Sequence, residues 1–346
     1  MIKQTLKILS AAVIVMTFLA FLAPLINPAL FSWLAFFGTA FPWLLLANLL
    51  LLLTWAFRVH RFALYHLGIL FFGWQHITGF IGLNFSKDAV PENAITLVTH
   101  NLGGIFRGVH LSEAEWAQIY TDYAQFLKKN GNPDILCVQE SGRKFWQTVA
   151  QKMGYKHSFE IKRGGTAIMS RYPVLRGGQV PFGQPENGSI WADLKVGQRT
   201  VRVYNVHLQS NKVTYDTRRV IDDSDIQDKE TWRDINKVLH KVGGATGIRA
   251  GQAAKLRDLI AACPHPVVLC GDFNDTPTSY VYGVLAEHLT DTFREKGYGF
   301  GTTYAGAVPL LRIDYILTGP RLKPYSCKVL RGSASDHYAV AASVGF

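Results

Sequence analysis

Charge is missing from long stretches of this chain. No Asp, Glu, Lys or Arg occurs from Ile8 to Phe57, none again from Phe62 to Ser86, and no acidic residue precedes Asp88. A helix in water carries charged or polar residues on its outer face, so these stretches exclude an ordinary solvated N-terminal domain. Runs of 18 or more uncharged apolar residues are long enough to cross a bilayer. Three fit: Ile8–Ile26, Trp33–Phe57 and Phe62–Leu83, separated by Asn27-Pro28 and by Arg58-Val59-His60-Arg61. A cleaved secretory signal accounts for only about the first 25 residues, and no small-residue cleavage site follows. Cysteine is also scarce. The four present form no C-x-x-C, which leaves a zinc cluster or dithiol redox site without support. Cys137 and Cys270 lie inside apolar strands, where cysteine acts as a small hydrophobe, and Cys263 and Cys327 lie near a helix end and a strand. Neither an internal repeat nor a low-complexity tail is present, so a solenoid is excluded.

The charge that is present is unevenly placed. Lys3 and Lys7 flank the first apolar run and Arg58 and Arg61 separate the second from the third. The positive-inside rule then puts the N terminus and the Arg58–Arg61 turn in the cytoplasm, and three spans place the remainder outside it. Apart from those four, 32 Lys and Arg face all 25 Asp and Glu, so about +7 of the formal +11 belongs to that remainder. A basic domain at a membrane favours anionic partners such as phospholipid headgroups, phosphate esters or nucleic acid.

Composition divides the chain into a membrane anchor (1–86), a polar linker (87–93) and a catalytic domain (94–346). Strand and helix patterns alternate through the last part. Strands are expected at Ala94–Thr99, Asp134–Gln139, Thr166–Met169, Ser189–Lys195, Thr200–His207, Pro266–Cys270, Arg312–Leu317, Cys327–Leu330 and Ala339–Val344. Helices are expected at Glu113–Lys129 behind Ser112, at Phe145–Met153, at Arg249–Ala262 after a Gly243-Gly244 break, and near Ser279–Glu287. This mixture predicts an α/β layered sandwich.

Polar residues recur where the apolar strands end. Asn101 follows the first, Gln139-Glu140 end the second, and Tyr204, Asn205 and His207 close the strand from Thr200. Gly271-Asp272-Phe273-Asn274-Asp275 follows another, and Asp314 and Ser335-Asp336-His337 come last. Asp272 and Asn274, two residues apart, can face the same way, one to take a proton from water and the other to hold it. Each motif alone reads as a cap or turn; together they predict one polar cleft. Oxygen and nitrogen donors without thiols suit Mg²⁺, with Mn²⁺ as a substitute.

This ordered set resembles the endonuclease/exonuclease/phosphatase superfamily over residues 94–346, and Gly165–Pro173 is similar to that family's central strand and turn. The resemblance implies two packed mixed β-sheets flanked by helices, a four-layer sandwich preceded here by transmembrane helices, and a metal-dependent phosphoester hydrolase. It implies that Glu140 is the main metal carboxylate, with Asn101 and Asp336 completing the metal environment, partly through water. Asp272 would orient or deprotonate the attacking water, with Asn274 beside it. His207, three residues after Tyr204, would face the phosphate, as would His337, held by Asp314. Asn205 and Arg171 stand as substrate-binding candidates. One departure weighs against DNA repair: Gly103 occupies a position that carries Asp in apurinic endonucleases.

Three readings of the function follow. In the first, a membrane-tethered enzyme acts on a lipid-linked or headgroup phosphate outside the cytoplasm. In the second, an exported nuclease hydrolyses nucleic acid. Lys212, Arg218, Arg219 and Arg249 would serve it, but Asp222, Asp223, Asp225 and Asp228 crowd the same segment. In the third, the chain is an inactive scaffold, which the full set of chemical residues disfavours. The segment Asn211–Lys241 is a candidate headgroup-reading loop. A linker of about seven residues spans at most ~25 Å, which would hold the cleft near the bilayer.

Overall fold

The computed structural model describes residues 2–85, 89–106, 111–161, 165–183, 188–211, 229–306, 308–332 and 335–346. The chain divides into two compact units. The first comprises 1–80, 211–253 and 275–284, and the second 81–210, 254–274 and 285–346. Two later segments, 211–253 and 275–284, thus fall with the N-terminal helices in the first unit. Most of the candidate reading loop, residues 212–228, lies outside the described residues, as do residue 86 and linker residues 87 and 88.

The first unit opens with α1 (Ile2–Leu22), α2 (Trp33–Thr39), α3 (Phe41–Phe57), α4 (Phe62–Phe72) and α5 (Trp74–Phe80). Lys3–Leu22 is long and apolar enough to cross a membrane, as a membrane anchor or a signal sequence would be. Helices α2 and α3 pass the same test only as a pair, bent by 58°. The third expected span does not form as one helix. It breaks at Gly73, where a side chain would run into the Phe21 ring, and its last residues are a strand. Three uninterrupted spans are therefore not made. The bend after α2 also has a local cause. The Gly38 carbonyl accepts hydrogen bonds from Thr278 Oγ1 (2.5 Å) and Thr276 Oγ1 (3.4 Å) of the same unit, and a Cβ on Gly38 would collide with the Thr278 carbonyl. Inside the unit, Asn48 joins Thr17 and His66, and the Trp55 indole donates to Ser10. These bonds satisfy polar groups that an apolar bundle would otherwise leave stranded.

The second unit holds β1 (Ile81–Leu83), β2 (Ile95–Asn101), α6 (Gly103–Phe106), α7 (Glu113–Lys129), β3 (Ile135–Gln139) and α8 (Arg143–Met153). These are followed by β4 (His157–Glu160), β5 (Ala167–Ser170), β6 (Val174–Gln179), β7 (Ile190–Val196) and β8 (Arg199–His207). Next comes α9 (Lys229–Ala261), within which the unit boundary falls, then β9 (Val267–Asp272) and α10 (Tyr280–Ala286) of the first unit. The chain ends with β10 (Thr290–Asp291), α11 (Thr292–Lys296), β11 (Tyr298–Phe300), β12 (Asp314–Thr318), β13 (Lys323–Leu330) and β14 (Ala339–Gly345). Helix α7 starts where Ser112 and Glu115 cap each other's backbone, a capping box. Helix α9 runs through Gly243-Gly244 without the expected break. Gly243 instead lets Ser32 of the same unit come close, since a Cβ there would stand 3.1 Å from its Oγ. At Gly243 this packing offsets the roughly 1 kcal/mol helix penalty of a glycine.

Two six-stranded mixed sheets form the sandwich, in the orders β13-β14-β2-β3-β5-β4 and β10-β12-β9-β8-β7-β6. Each has one parallel pair, β2–β3 and β8–β9, and each pair is joined by a helical crossover. Alternation sets the layers. Ile95, Leu97, Ile135, Cys137 and Ile168 face Val201, Val203, Val268 and Cys270 between the sheets. Val98, Leu136, Val138 and Met169 turn outward onto Tyr123, Leu127, Phe145 and Val149 of α7 and α8. The expected layered α/β sandwich is the architecture found.

Candidate active site

Strand direction decides what meets. Because β2 runs parallel to β3, Asn101 lies opposite Gln139, and Glu140 follows at the same edge. Because β8 runs parallel to β9, His207 lies opposite Asp272. Strand β12 is antiparallel to β9, so its first residue, Asp314, also lies opposite Asp272. Strand β14 is antiparallel to β2, which brings the segment before it, Ser335-Asp336-His337, back to Asn101. There the Ser335 hydroxyl donates to the Asn101 carbonyl at 2.7 Å. Six separate chain segments thus deliver their polar residues to one edge.

Asp272 is the hub. It is 1 % exposed. Its Oδ2 accepts from Asn101 Nδ2 at 2.9 Å and Asn274 Nδ2 at 3.2 Å, and its Oδ1 accepts from the Asn274 backbone N–H at 2.7 Å. The His207 and His337 Nε2 atoms stand 3.7 and 4.0 Å from Oδ2, and His207 Nε2 lies 3.5 Å from Glu140 Oε1. Gly271 makes this approach feasible. Its φ is +129°, and any Cβ would collide with the Val206 carbonyl on the neighbouring strand. Glu140 and Asn274, each just past a strand end, hold left-handed φ of 49° and 52°. Non-glycine residues in that region cost of order 1–3 kcal/mol and persist where surrounding bonds hold them. Here Ser141 N–H donates to Gly165 O at 2.8 Å beside Glu140, and Asn274 is fixed by Asp272 and the Leu208 carbonyl.

Burial and neighbours set the charges. Burial first, and Asp314 next, push the Asp272 carboxyl above its ordinary value. For His337 burial works toward the neutral ring, but Asp314, with Nδ1 2.9 Å from its Oδ2, together with Asp272 and Asp336, outweighs it and raises the imidazole to about 10. His337 is therefore cationic at neutral pH. Asp314 itself is held by Thr303, whose hydroxyl accepts from both the Ile313 and Asp314 N–H groups.

Three expected site residues lie elsewhere. Tyr204 is three residues from His207 and so on the opposite face of β8, where its hydroxyl reaches Leu259 O at 3.4 Å. Asn205 shares the His207 face but is fully buried. It donates to Val138 O and Ala167 O and accepts from Gln139 Nε2 at 2.6 Å, so it rivets the two sheets together instead of meeting a substrate. Arg171 is at the wrong end. Strand β5 is antiparallel to β3, so Ser170 lies opposite Ile135, and Arg171 N–H donates to Asp134 O far along the strand from Glu140. Asn101 is in the cleft, but its Oδ1 accepts from Gly103 N–H, so it turns the amide nitrogen toward Glu140 and Asp272.

Two neighbours of the cleft were not expected. Tyr304 pairs by an isolated bridge with His337, and its ring packs edge-on to that imidazole at 5.2 Å. His100 points outward from β2 to the Tyr123 hydroxyl and reaches the His337 carbonyl at 3.1 Å, with burial lowering its imidazole to about 4. Tyr304 sits in a loop with no strand pattern, so no signal marked it. The parity of β2 would have placed His100 beneath the site.

The donor set fits a hard divalent cation. Glu140 is the open carboxylate, with its side chain 28 % exposed against 1 % for Asp272 and Asp314. No thiol faces the cluster, since Cys137, Cys270 and Cys327 are free and buried. Ligand atoms of Asp272, Asp314 and His337 also lie within 4.8 Å of one another. In that trio, however, the His337 Nδ1 is already engaged by Asp314, which marks a carboxylate-held imidazolium more than a metal cage.

A sequence model of the endonuclease/exonuclease/phosphatase family matches residues 98–337. The chain belongs to this family. Its members are hydrolases acting on phosphoesters, and the second unit has that family's phosphoesterase fold. A second model, a domain of unknown function, matches residues 3–80. No curated protein matches the chain. Similar solved structures include D. rerio TDP2 complexed with a single-strand DNA product (17% identity, 73% of this chain and 99% of that one, TM-score 0.53). The human Nocturnin catalytic domain with bound sulfate is also similar (17% identity, 76% and 98%, TM-score 0.52). So is a mannosyl-6-phosphatase of Bacteroides thetaiotaomicron VPI-5482 (18% identity, 73% and 100%, TM-score 0.50). At these identities the likeness is one of fold.

Proposed function

We propose that this protein is a membrane-tethered, Mg²⁺-dependent phosphoester hydrolase whose substrate is a lipid-linked or headgroup phosphate. The observation that carries the chemistry is the convergence of Asn101, Glu140, His207, Asp272, Asn274, Asp314 and His337 on one buried edge. Glu140 and Asp336 would hold the cation, with Asn101 beside them. When bound there, a divalent ion would supply charge neutralisation on the phosphoryl oxygens and lower the cost of forming a nucleophilic water. Asp272, its carboxyl raised by burial, takes a proton from that water, and Asn274 fixes its orientation. The His337 imidazolium, held by Asp314, donates to a phosphoryl oxygen, and His207 lies on the other side of Asp272. Removing one such stabiliser typically costs on the order of 10²–10³ in rate.

Membrane tethering draws on the first unit. Large apolar side chains including Ile8, Phe18, Leu50, Leu53, Phe71 and Phe72 are exposed on its helices, more apolar surface than a soluble monomer usually leaves to water. Lys3, Lys7, Arg58 and Arg61 would mark the cytoplasmic side, and α4 and α5, broken at Gly73, would together make the last crossing that puts the catalytic unit outside. A reporter fused after Phe346 should then read as extracytoplasmic.

A nuclease is the second reading, favoured by the DNA-bound structure among the similar folds. One assay separates the two. Purified full-length protein with Mg²⁺ is offered phospholipid vesicles, inositol phosphates, plasmid DNA and RNA, with and without excess chelator. Release of a phosphorylated or dephosphorylated headgroup, abolished by chelation and restored by Mg²⁺ or Mn²⁺ better than by Zn²⁺, supports the lipid reading. Cleavage of DNA with no turnover of any lipid or inositol phosphate replaces it with the nuclease.

A further inference from the structure

The second unit carries a two-stranded ribbon that takes no part in the sandwich. Strand β1 pairs antiparallel with β11, matching Ile81 with Phe300, Gly82 with Gly299 and Leu83 with Tyr298. Its aromatic residues face water. Phe85 is 78 % exposed, Tyr298 68 % and Phe300 64 %, and Phe85 packs edge-on to Tyr298 at 5.4 Å. Three large aromatic side chains within one short ribbon are an expensive arrangement in water, because each leaves apolar area unburied.

The ribbon is also rigidly mounted. Gly82 has no room for a side chain, since a Cβ there would collide with the Gly297 carbonyl, and Gly297 is pressed in turn against Phe293. Asn84 closes the end, donating from its backbone to Gly297 O at 3.2 Å and from its side chain to Glu295 O at 3.0 Å. Below, Phe293 lies under the Arg312 guanidinium, and Arg312 makes a buried bidentate pair with Asp291. Arg312 stands two residues before Asp314 of the active site. The aromatic side chains are thus displayed on a platform whose Arg312 just precedes β12, the strand whose first residue, Asp314, holds His337.

The chain itself indicates what covers them. Strand β1 begins at Ile81, the residue after α5 ends, so the ribbon is the first element made once the apolar helices finish. Exposed tyrosine and phenylalanine rings, with an exposed Arg294 in α11 just before β11, match the chemistry of a bilayer interface, where aromatic rings sit at headgroup level and basic groups meet anionic lipid. We infer that the β1–β11 ribbon, through Phe85, Tyr298 and Phe300, seats in the interface of an anionic bilayer and sets the height of the catalytic cleft above it. This rests on the membrane-tethered reading.

Spin-label accessibility tests both ideas separately. In full-length protein with Cys263→Ser, which removes the half-exposed native thiol, a single nitroxide is placed by Tyr298→Cys, Phe300→Cys, Leu53→Cys or Arg176→Cys. Each variant is reconstituted in vesicles of phosphatidylcholine and phosphatidylglycerol, and collision with oxygen is compared with collision with a water-soluble nickel chelate. The expected result is a severalfold higher oxygen-to-nickel ratio at 298 and 300 than at 176, with 53 higher still. Nickel access at 298 and 300 equal to that at 176, while 53 stays immersed, overturns the ribbon inference and leaves the tether intact. Nickel access at 53 as well overturns both. Low access to either reagent at 298 with spin–spin broadening would assign the ribbon to a second copy of the chain and remove the lipid from it.

Discussion

The cleft edge and the N-terminal helices present opposite relations between sequence and structure. At the cleft, fully buried strands end in polar residues, and the direction of each strand alone decides that Asn101, Glu140, His207, Asp272, Asp314 and His337 converge. In the helical unit the composition is monotonous and the segmentation comes from packing. Gly38 and Gly73 break the apolar runs because Thr278 and Phe21 press against bare backbone. Chemistry concentrates where polarity interrupts an apolar pattern, whereas shape in a uniformly apolar region is decided by contacts distant in sequence. Substitutions at the cleft should therefore change turnover with the fold intact, and those in the helices should change stability with chemistry intact.

The largest effect should come from Asp272→Asn and His337→Ala. Each is expected to lower turnover of a small chromogenic phosphodiester by roughly 10²-fold or more per folded molecule. Circular dichroism should stay that of a folded protein, with a lower melting temperature for His337→Ala, which strips the buried Asp314 of its counter-ion. Near-parental turnover in both would remove the cleft from the reaction and dissolve the contrast.

Asp314→Asn probes the charge on His337. With its imidazole raised to about 10, the cation is present across neutral pH and is lost as pH rises through that value. Without the Asp314 carboxylate, burial dominates and the cation is lost at lower pH. The alkaline limb of the pH–rate profile should move toward neutrality, by about one unit for each 1.4 kcal/mol of support removed. An unmoved alkaline limb would show that His337 is not the group whose charge matters.

Gly38→Ala makes the complementary test in the helices. A methyl group directed at the Thr278 carbonyl should cost about 1–3 kcal/mol as an overpacking strain. It should appear as a lower melting temperature, with turnover per folded molecule unchanged. A selective loss of turnover in fully folded protein would mean that the helical unit reaches into the chemistry.

What could be read from the sequence follows the same division. The order of motifs revealed the sandwich and the cleft because each motif sits at the end of an apolar strand, and a strand end is a local property. The role of Asn205 was hidden because its partners Gln139, Val138 and Ala167 belong to the other sheet. Arg171 was misplaced because the antiparallel run of β5 is a pairing fact that no local pattern records. Strand β6 was missed since Gly177 and Gly178 weaken any strand signal, yet they make room for the Phe159 and Trp191 rings.

The smallest effect is expected from Tyr204→Phe, and it sharpens the boundary of the cleft most. Tyr204 lies between Val203 and Asn205 on β8, and side chains on a strand alternate, so a face shared with His207 is denied to it. Its hydroxyl goes to Leu259 O at 3.4 Å, longer than the usual range for an O–H···O bond. Loss of so long a bond should cost no more than about 1 kcal/mol of stability. The ring, which provides the packing, is kept. Turnover of the chromogenic diester should stay within about twofold of the parent, since a change of well under 1.4 kcal/mol in the barrier is less than tenfold in rate. A 10²-fold loss would instead place the phenol at the phosphate and require β8 to be turned over, with His207 withdrawn from Asp272.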